Sequence, residues 1–160
     1  MAKLTGTNPD QVPTNADLGT MAYQDASNFV TADASNFVTT DANGVVTFDN
    51  GITEESTTIT SSSNAATLNL HDGTNFVHDL TENVTYTFSN PPASGRVTSF
   101  TLKVIQDSSA RTITWPSSVD WAGGSAPTLS TGNNDCDIFV FVTYTGGSTY
   151  YGFTSGQDFY

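Results

Sequence analysis

The sequence predicts an all-β protein: an antiparallel β-sandwich or jelly-roll-like C-terminal domain behind an extended, repeat-containing N-terminal arm. Three observations carry that expectation. Short runs rich in Thr, Val, Phe and Tyr fill the second half of the chain, residue types that suit a pleated, half-buried surface. Gly, Asn and Pro turn signals fall between those runs. A repeat of even period precedes them, and an even period holds like residues on one face of an extended chain.

The segments follow in order. Residues 1–24 are polar and turn-rich, with Asn8-Pro9-Asp10 and Val12-Pro13-Thr14-Asn15 as turn signals. They are expected to be extended peptide that a partner must order. Residues 25–48 hold three copies of an eight-residue unit: DASNFVTA from Asp25, DASNFVTT from Asp33 and DANGVVTF from Asp41. On a helix an eight-residue step would rotate the face by roughly 80°, scattering Phe29, Phe37 and Val45, whereas on a strand they share a face. The segment is too thin to bury those side chains by itself, so it is expected to associate with equivalent segments of other copies as a shaft. Residues 49–65 read as a Thr/Ser connector.

An antiparallel domain is expected over 66–160, with strands at 67–70, 75–80, 85–88, 98–106, 111–115, 138–144 and 149–153. Thr145-Gly146-Gly147-Ser148 has the composition of a tight hairpin. The run Phe100-Thr101-Leu102-Lys103-Val104 has one apolar face. In Ile138-Phe139-Val140-Phe141-Val142 both faces are apolar, as in the central strand of a sandwich, the default reading, or in a strand with its second face against another subunit, for which Phe139 and Phe141 are interface candidates beside Phe29, Phe37 and Val45. An aspartate at Val140 is expected to prevent folding, because an unpaired charge would enter apolar surroundings.

Composition narrows the function. The chain has 160 residues, 36% hydrophobic and 12% charged, and a formal charge of −12 with only four Lys and Arg. Thr and Ser make up roughly a quarter of it. Such a charge disfavours nucleic acid, whose phosphates need cations, and anionic membrane surfaces. No run approaches the length of an apolar membrane span, and the first residues lack an apolar signal core, so synthesis and assembly in a cytosol are expected. Cys136 is the single cysteine, in polar surroundings, and reads as incidental.

The residues able to carry chemistry do not form a constellation. His71 and His78 lie seven apart, a spacing that puts them on opposite faces of a strand and matches no metal motif; both read as surface or turn residues. No Gly-x-Ser-x-Gly elbow accompanies them. Glu54, Glu55 and Glu82 sit in the connector and a turn rather than in a cleft. Asp25, Asp33 and Asp41 do not have the spacing of a calcium loop. No catalytic residue, metal or cofactor is expected. Trp115, Trp121, Tyr150 and Tyr151 are flat aromatics that can stack on sugars, and they are the candidate glycan contacts; capping a small β core is the other use of such residues.

Two stretches resemble a known family. The segment from Asn8 to Asp25, NPDQVPTNADLGTMAYQD, resembles a recurrent element of bacteriophage tail-fibre and virion appendage proteins, of the marine and cyanobacterial phage type. The stretch from Phe100 onward is similar to the C-terminal domain of such proteins, through Thr112-Ile113-Thr114-Trp115-Pro116, Trp121-Ala122-Gly123-Gly124-Ser125-Ala126-Pro127, Asp137 opening an apolar strand, and Tyr150-Tyr151-Gly152-Phe153. The resemblance implies a non-enzymatic structural protein, made in the host cytoplasm and incorporated in the virion. It implies a homotrimer that docks on other virion proteins of tail, baseplate or capsid through Pro9, Val12, Pro13, Leu18 and Tyr23. It also allows contact with host surface polysaccharide through the aromatic set. Long fibres have far longer shafts, so the expected form is a short fibre or appendage, with a capsid decoration or head-fibre protein, or an adhesin head, as the alternatives.

Overall fold

A computed structural model describes residues 51–160, in which nine strands form one compact unit from Thr53 to Tyr160. They are β1 (Ser56–Ile59), β2 (Ala65–Asn69), β3 (Asn75–Asp79), β4 (Val84–Ser89), β5 (Thr98–Ile105), β6 (Ile113–Thr114), β7 (Val119–Trp121), β8 (Cys136–Thr143) and β9 (Tyr150–Phe159). The sheets are a six-stranded one, ordered β1-β3-β5-β8-β9-β7, and a three-stranded one, ordered β2-β4-β6.

The antiparallel sandwich or jelly roll expected from sequence is corrected here. From β1 to β6 the chain changes sheet at every connection, so each strand returns beside the one two before it and runs parallel to it. β1 pairs with β3, and β3 with β5, in parallel; so do β2 with β4 and β4 with β6. Only β5–β8 and β8–β9 are antiparallel, and β7 joins β9 in parallel. The fold is all-β with mixed sheets, a flattened parallel coil closed by an antiparallel hairpin. Alternation of apolar and polar residues looks the same in either direction, because the pleat has period two whichever way a neighbour runs. Direction shows only in which strands pair. The turn from β1 to β2 has Ser63 at φ 56° and Asn64 at φ 63°, closed by Ser62 and Ala65 bonding each other's backbone at 3.0 and 3.2 Å. These are the dihedrals of a two-residue hairpin turn, yet the strands on its two sides join different sheets.

β1 and β7 were not expected: β1 lies inside the Thr/Ser connector, where Ser56-Thr57-Thr58-Ile59 offers one large apolar residue. The other strands fall on the predicted runs. β9 extends well beyond the predicted 149–153, and β6 keeps only two residues of 111–115. The repeat at 25–48 and the arm at 1–24 lie outside the described residues.

The inner faces of both sheets meet in an aromatic core. Phe100 stacks on Phe141 with centroids 5.1 Å apart, and Phe88 from the opposite sheet meets each of them edge-on at 5.1 Å. Edge-to-face and offset rings suit the ring quadrupole and add to the area they bury. Trp115 lies nearly parallel to Tyr86 and meets Phe139 edge-on, while Trp121 packs on Phe139 and Phe141. Gly152 makes room for Trp121: a Cβ there would stand 2.9 Å from the indole. Gly152→Val is therefore expected to cost about 1–3 kcal/mol by overpacking. Thermal melting beside a Thr154→Val control on the same strand checks this; equal melting temperatures for the two would exclude it.

Candidate functional site

The six-stranded sheet has an outer face whose residues range from half-buried to exposed. Its register sets Asn75, Thr101, Val140 and Phe153 side by side, with Ser99, Val142, Tyr151 and Asp120 in the next row. Ile138 stands opposite Lys103 in a third. The face is thus divided. Over β3 and β5 it is mixed, with Asn75, Asp79, Ser99, Thr101 and Lys103 beside Val77 and Ile105; over β8 and β9 it is an apolar band of Ile138, Val140, Val142, Tyr151 and Phe153. Tyr151 is 41% and Phe153 48% exposed, and Tyr144 meets Tyr151 edge-on with centroids 6.3 Å apart. A groove of about 390 Å³ runs beside the band between Glu54, Asn75, Val97, Thr101 and Val140. In it Glu54 accepts from Thr74 Oγ1 at 2.7 Å and from the Asn75 amide, and Thr101 Oγ1 donates to Asn75 Oδ1 at 2.7 Å.

Several residues expected on that surface are elsewhere. Phe139 and Phe141, expected at a subunit interface, are fully buried in the core; Ile138, Val140 and Val142 take the outward positions by the same alternation. The expected effect of Val140→Asp on folding is corrected with them, since Val140 stands half-buried on the outer face. Of the four candidate glycan contacts, Trp115 and Trp121 are packed into the aromatic core and Tyr150 is buried, which leaves Tyr151 exposed. The docking-arm candidates Pro9, Val12, Pro13, Leu18 and Tyr23, and the repeat residues Phe29, Phe37 and Val45, lie outside the described residues. Among the described residues no three His, Cys, Asp or Glu side chains gather as a metal site would need. Cys136, read as lying in polar surroundings, is buried at the start of β8.

The buried polar groups serve the fold. Asp137 points inward and is 2% exposed. Its Oδ1 accepts from Ser130 Oγ at 2.7 Å and Asp158 N at 3.2 Å; its Oδ2 accepts from Ser130 N at 2.8 Å and Gln157 Nε2 at 3.1 Å. One carboxylate therefore ties the loop before β8 to the end of β9. Gln106, also buried, accepts from Arg111 N and donates to the Arg111 and Ser130 carbonyls, closing the loop after β5.

His78 was expected at the surface and is instead in the core, one strand position on the inward side with Phe76. Its Nδ1 lies 2.6 Å from Tyr86 Oη, while Nε2 is buried with no partner. Burial lowers its pKa below the usual 6.5, against the opposing charges of Asp79 and Glu82. Burial likewise raises the Tyr86 phenol far above its ordinary range. The folded state thus holds His78 neutral while the unfolded chain protonates it. Its contribution to stability is complete above about pH 6.5 and is lost as pH falls from there toward the folded-state pKa. Melting temperature should drop through that window, and the drop should be smaller in His78→Gln; identical pH profiles for the two would exclude the effect.

No family matches the chain, and no curated protein or solved structure does either.

Proposed function

We propose that this chain is a non-enzymatic structural component of a bacteriophage particle, a short fibre or appendage that is made in the host cytoplasm, assembles as a homotrimer and docks on other virion proteins through residues 1–24. The observation that supports it is the apolar band of β8 and β9. Ile138, Val140, Val142, Tyr151 and Phe153 present an outward apolar surface beside a more polar one, a division that suits burial of one half against another subunit while the other stays wet. Phe29 and Phe37 in the repeat add further apolar surface, each worth about 1.5–3 kcal/mol when desolvated. The trimer number and the virion come from the resemblance of the Asn8–Asp25 and Phe100-onward stretches to phage appendage proteins. A capsid decoration or head-fibre protein would use the same surface at another place on the particle.

Val140→Asp tests the reading. The charge would sit on the outer face, where water can reach it in the monomer but not in an assembly. The variant is expected to fold, with β-sheet circular dichroism retained, and to elute as a monomer, whereas the parent chain scatters light as a trimer at micromolar concentration. A monomeric parent chain that also shows no threefold clusters in a particle reconstruction would overturn the proposal.

A host-glycan-binding head is the second reading, favoured by the exposed Tyr144–Tyr151 pair beside Phe153. A glycan array carrying host surface polysaccharides separates the two. Binding by the parent chain that Tyr151→Ala abolishes would support the adhesin; no binding leaves the structural reading.

A further inference from the structure

The groove of about 390 Å³ lies on the more polar half of the outer face and is built from separate stretches of chain. Glu54 comes from before β1, Asn75 opens β3, Val97 to Thr101 lead into β5, and Val140 of β8 forms the far wall. Hydrogen bonds hold its side chains in place. Thr101 Oγ1 donates to Asn75 Oδ1 at 2.7 Å, which leaves the amide nitrogen facing Glu54. Glu54 Oε2 accepts from that nitrogen and from Thr74 Oγ1 at 2.7 Å. A carboxylate offers about four lone-pair sites, so Glu54 keeps acceptor capacity beyond these two bonds. Ser99, exposed beside it, brings a hydroxyl that both donates and accepts.

The lining selects the ligand. A carboxylate repels anions, and the chain's charge of −12 extends that repulsion to any acidic ligand. A hard cation needs several anionic or carbonyl oxygens, and Glu54 is the single carboxylate among the lining residues. An apolar ligand would strip water from Glu54, Ser99 and Thr101 without replacing the lost hydrogen bonds. A neutral polyhydroxyl ligand meets every one of these constraints. Its hydroxyls donate to Glu54 and exchange hydrogen bonds with Ser99, while its C–H face rests on Val140 and on Val97, which is 59% exposed. The volume falls within the range of small-molecule sites, roughly 300–1,000 Å³.

We infer that this groove is a binding site for neutral saccharides, with Glu54 and Ser99 as its hydrogen-bonding groups, Thr74 and Asn75 holding the carboxylate in position, and Val97 and Val140 as its walls. The inference deepens the glycan-binding reading and rests on it for the source of the sugar. The site itself is a different place from the Tyr144–Tyr151 pair, and Val140 is the one residue that it shares with the apolar band.

A titration of the full chain followed by amide chemical shifts is the test, with maltose, lactose and cellobiose as neutral probes and sialyllactose as the acidic one. At least one neutral probe should give saturable shifts at the Asn75 side-chain amide and the Ser99 and Thr101 backbone amides, and sialyllactose should bind more weakly. Glu54→Gln should weaken the binding about tenfold or more, as loss of a hydrogen bond to a charged group does, with the Phe139 and Phe141 amides unmoved. Tyr151→Ala should leave it unchanged. No saturable shift at the groove with any neutral probe overturns the inference, as does an unweakened Glu54→Gln or tighter binding of sialyllactose. Shifts confined to Tyr144 and Tyr151 that Tyr151→Ala abolishes would overturn the groove and keep the glycan-binding reading. Groove binding of a probe beside a blank array of host polysaccharides would support the site and overturn that reading.

Discussion

Phe141→Ala is expected to destabilise the folded unit by about 3–5 kcal/mol, which for a domain of this size lowers the melting temperature by about 15–25 °C. Phe141 is fully buried, stacks on Phe100 and is touched edge-on by Phe88 and Trp121, and Tyr150 at the start of β9 supports it across Phe88. These rings come from both sheets, so the void left by truncation cannot be closed by one strand settling inward, and the cavity adds to the lost transfer energy. Its neighbour Val142 is the internal control. Val142 stands on the outer face, and Val142→Ala should change the melting of monomeric protein by no more than about 1 kcal/mol. Equal losses for Phe141→Ala and Val142→Ala would mean that the alternation along β8 has been read one residue out of register.

Asp137→Ala is the second large effect, about 3 kcal/mol or more. The cost does not come from a missing ion pair, since none of the four donors to this carboxylate is a cation. It comes from leaving the Ser130 amide and hydroxyl without their acceptor beside the core, while the Asp158 amide keeps only its bond to Ser130 Oγ. Asp137→Asn keeps the shape but replaces one acceptor oxygen with a donor that would face other donors, so it should recover only part of the loss. Denaturant unfolding of the three proteins checks the order: parent most stable, Asn intermediate, Ala least. An Asn variant as stable as the parent would show that the charge and second acceptor of Asp137 are dispensable.

Strand positions were legible in the sequence because alternation and turn residues report local geometry, and Phe76, Leu102 and Val104 fall inward as a period of two requires. Strand direction was not legible. The Ser62–Ala65 corner has positive φ at both central residues, as a two-residue hairpin turn does, so only the sheet that each flanking strand joins tells them apart. The outer face was half legible. Ile138-Phe139-Val140-Phe141-Val142 announces two apolar faces, but sequence alone assigns the bulkier pair to neither, and the aromatic core of the opposite sheet claims it. His78 was within reach: it shares parity with Phe76 and Leu80, both buried, and its polarity concealed a position that periodicity gives. For Trp115 and Trp121 the core-capping use matches their packing on Tyr86, Phe139 and Phe141, rings that lie on other strands and that local pattern does not point to.

The strand order has a consequence in time. β8 sits between β5 and β9 in the six-stranded sheet, yet of the described strands only β9 leaves a ribosome after it. Until residues beyond 135 emerge, β5 has a bare edge and the rings of Phe88 and Phe100 have no Phe141 to cover them. A nascent or prematurely terminated chain therefore displays a sticky strand edge next to uncovered aromatics, the combination that recruits foreign strands. Translation errors or nonsense mutations upstream of Cys136 should yield insoluble fragments rather than shorter folded proteins, and completion of the β8–β9 hairpin is the event that covers that edge and those rings.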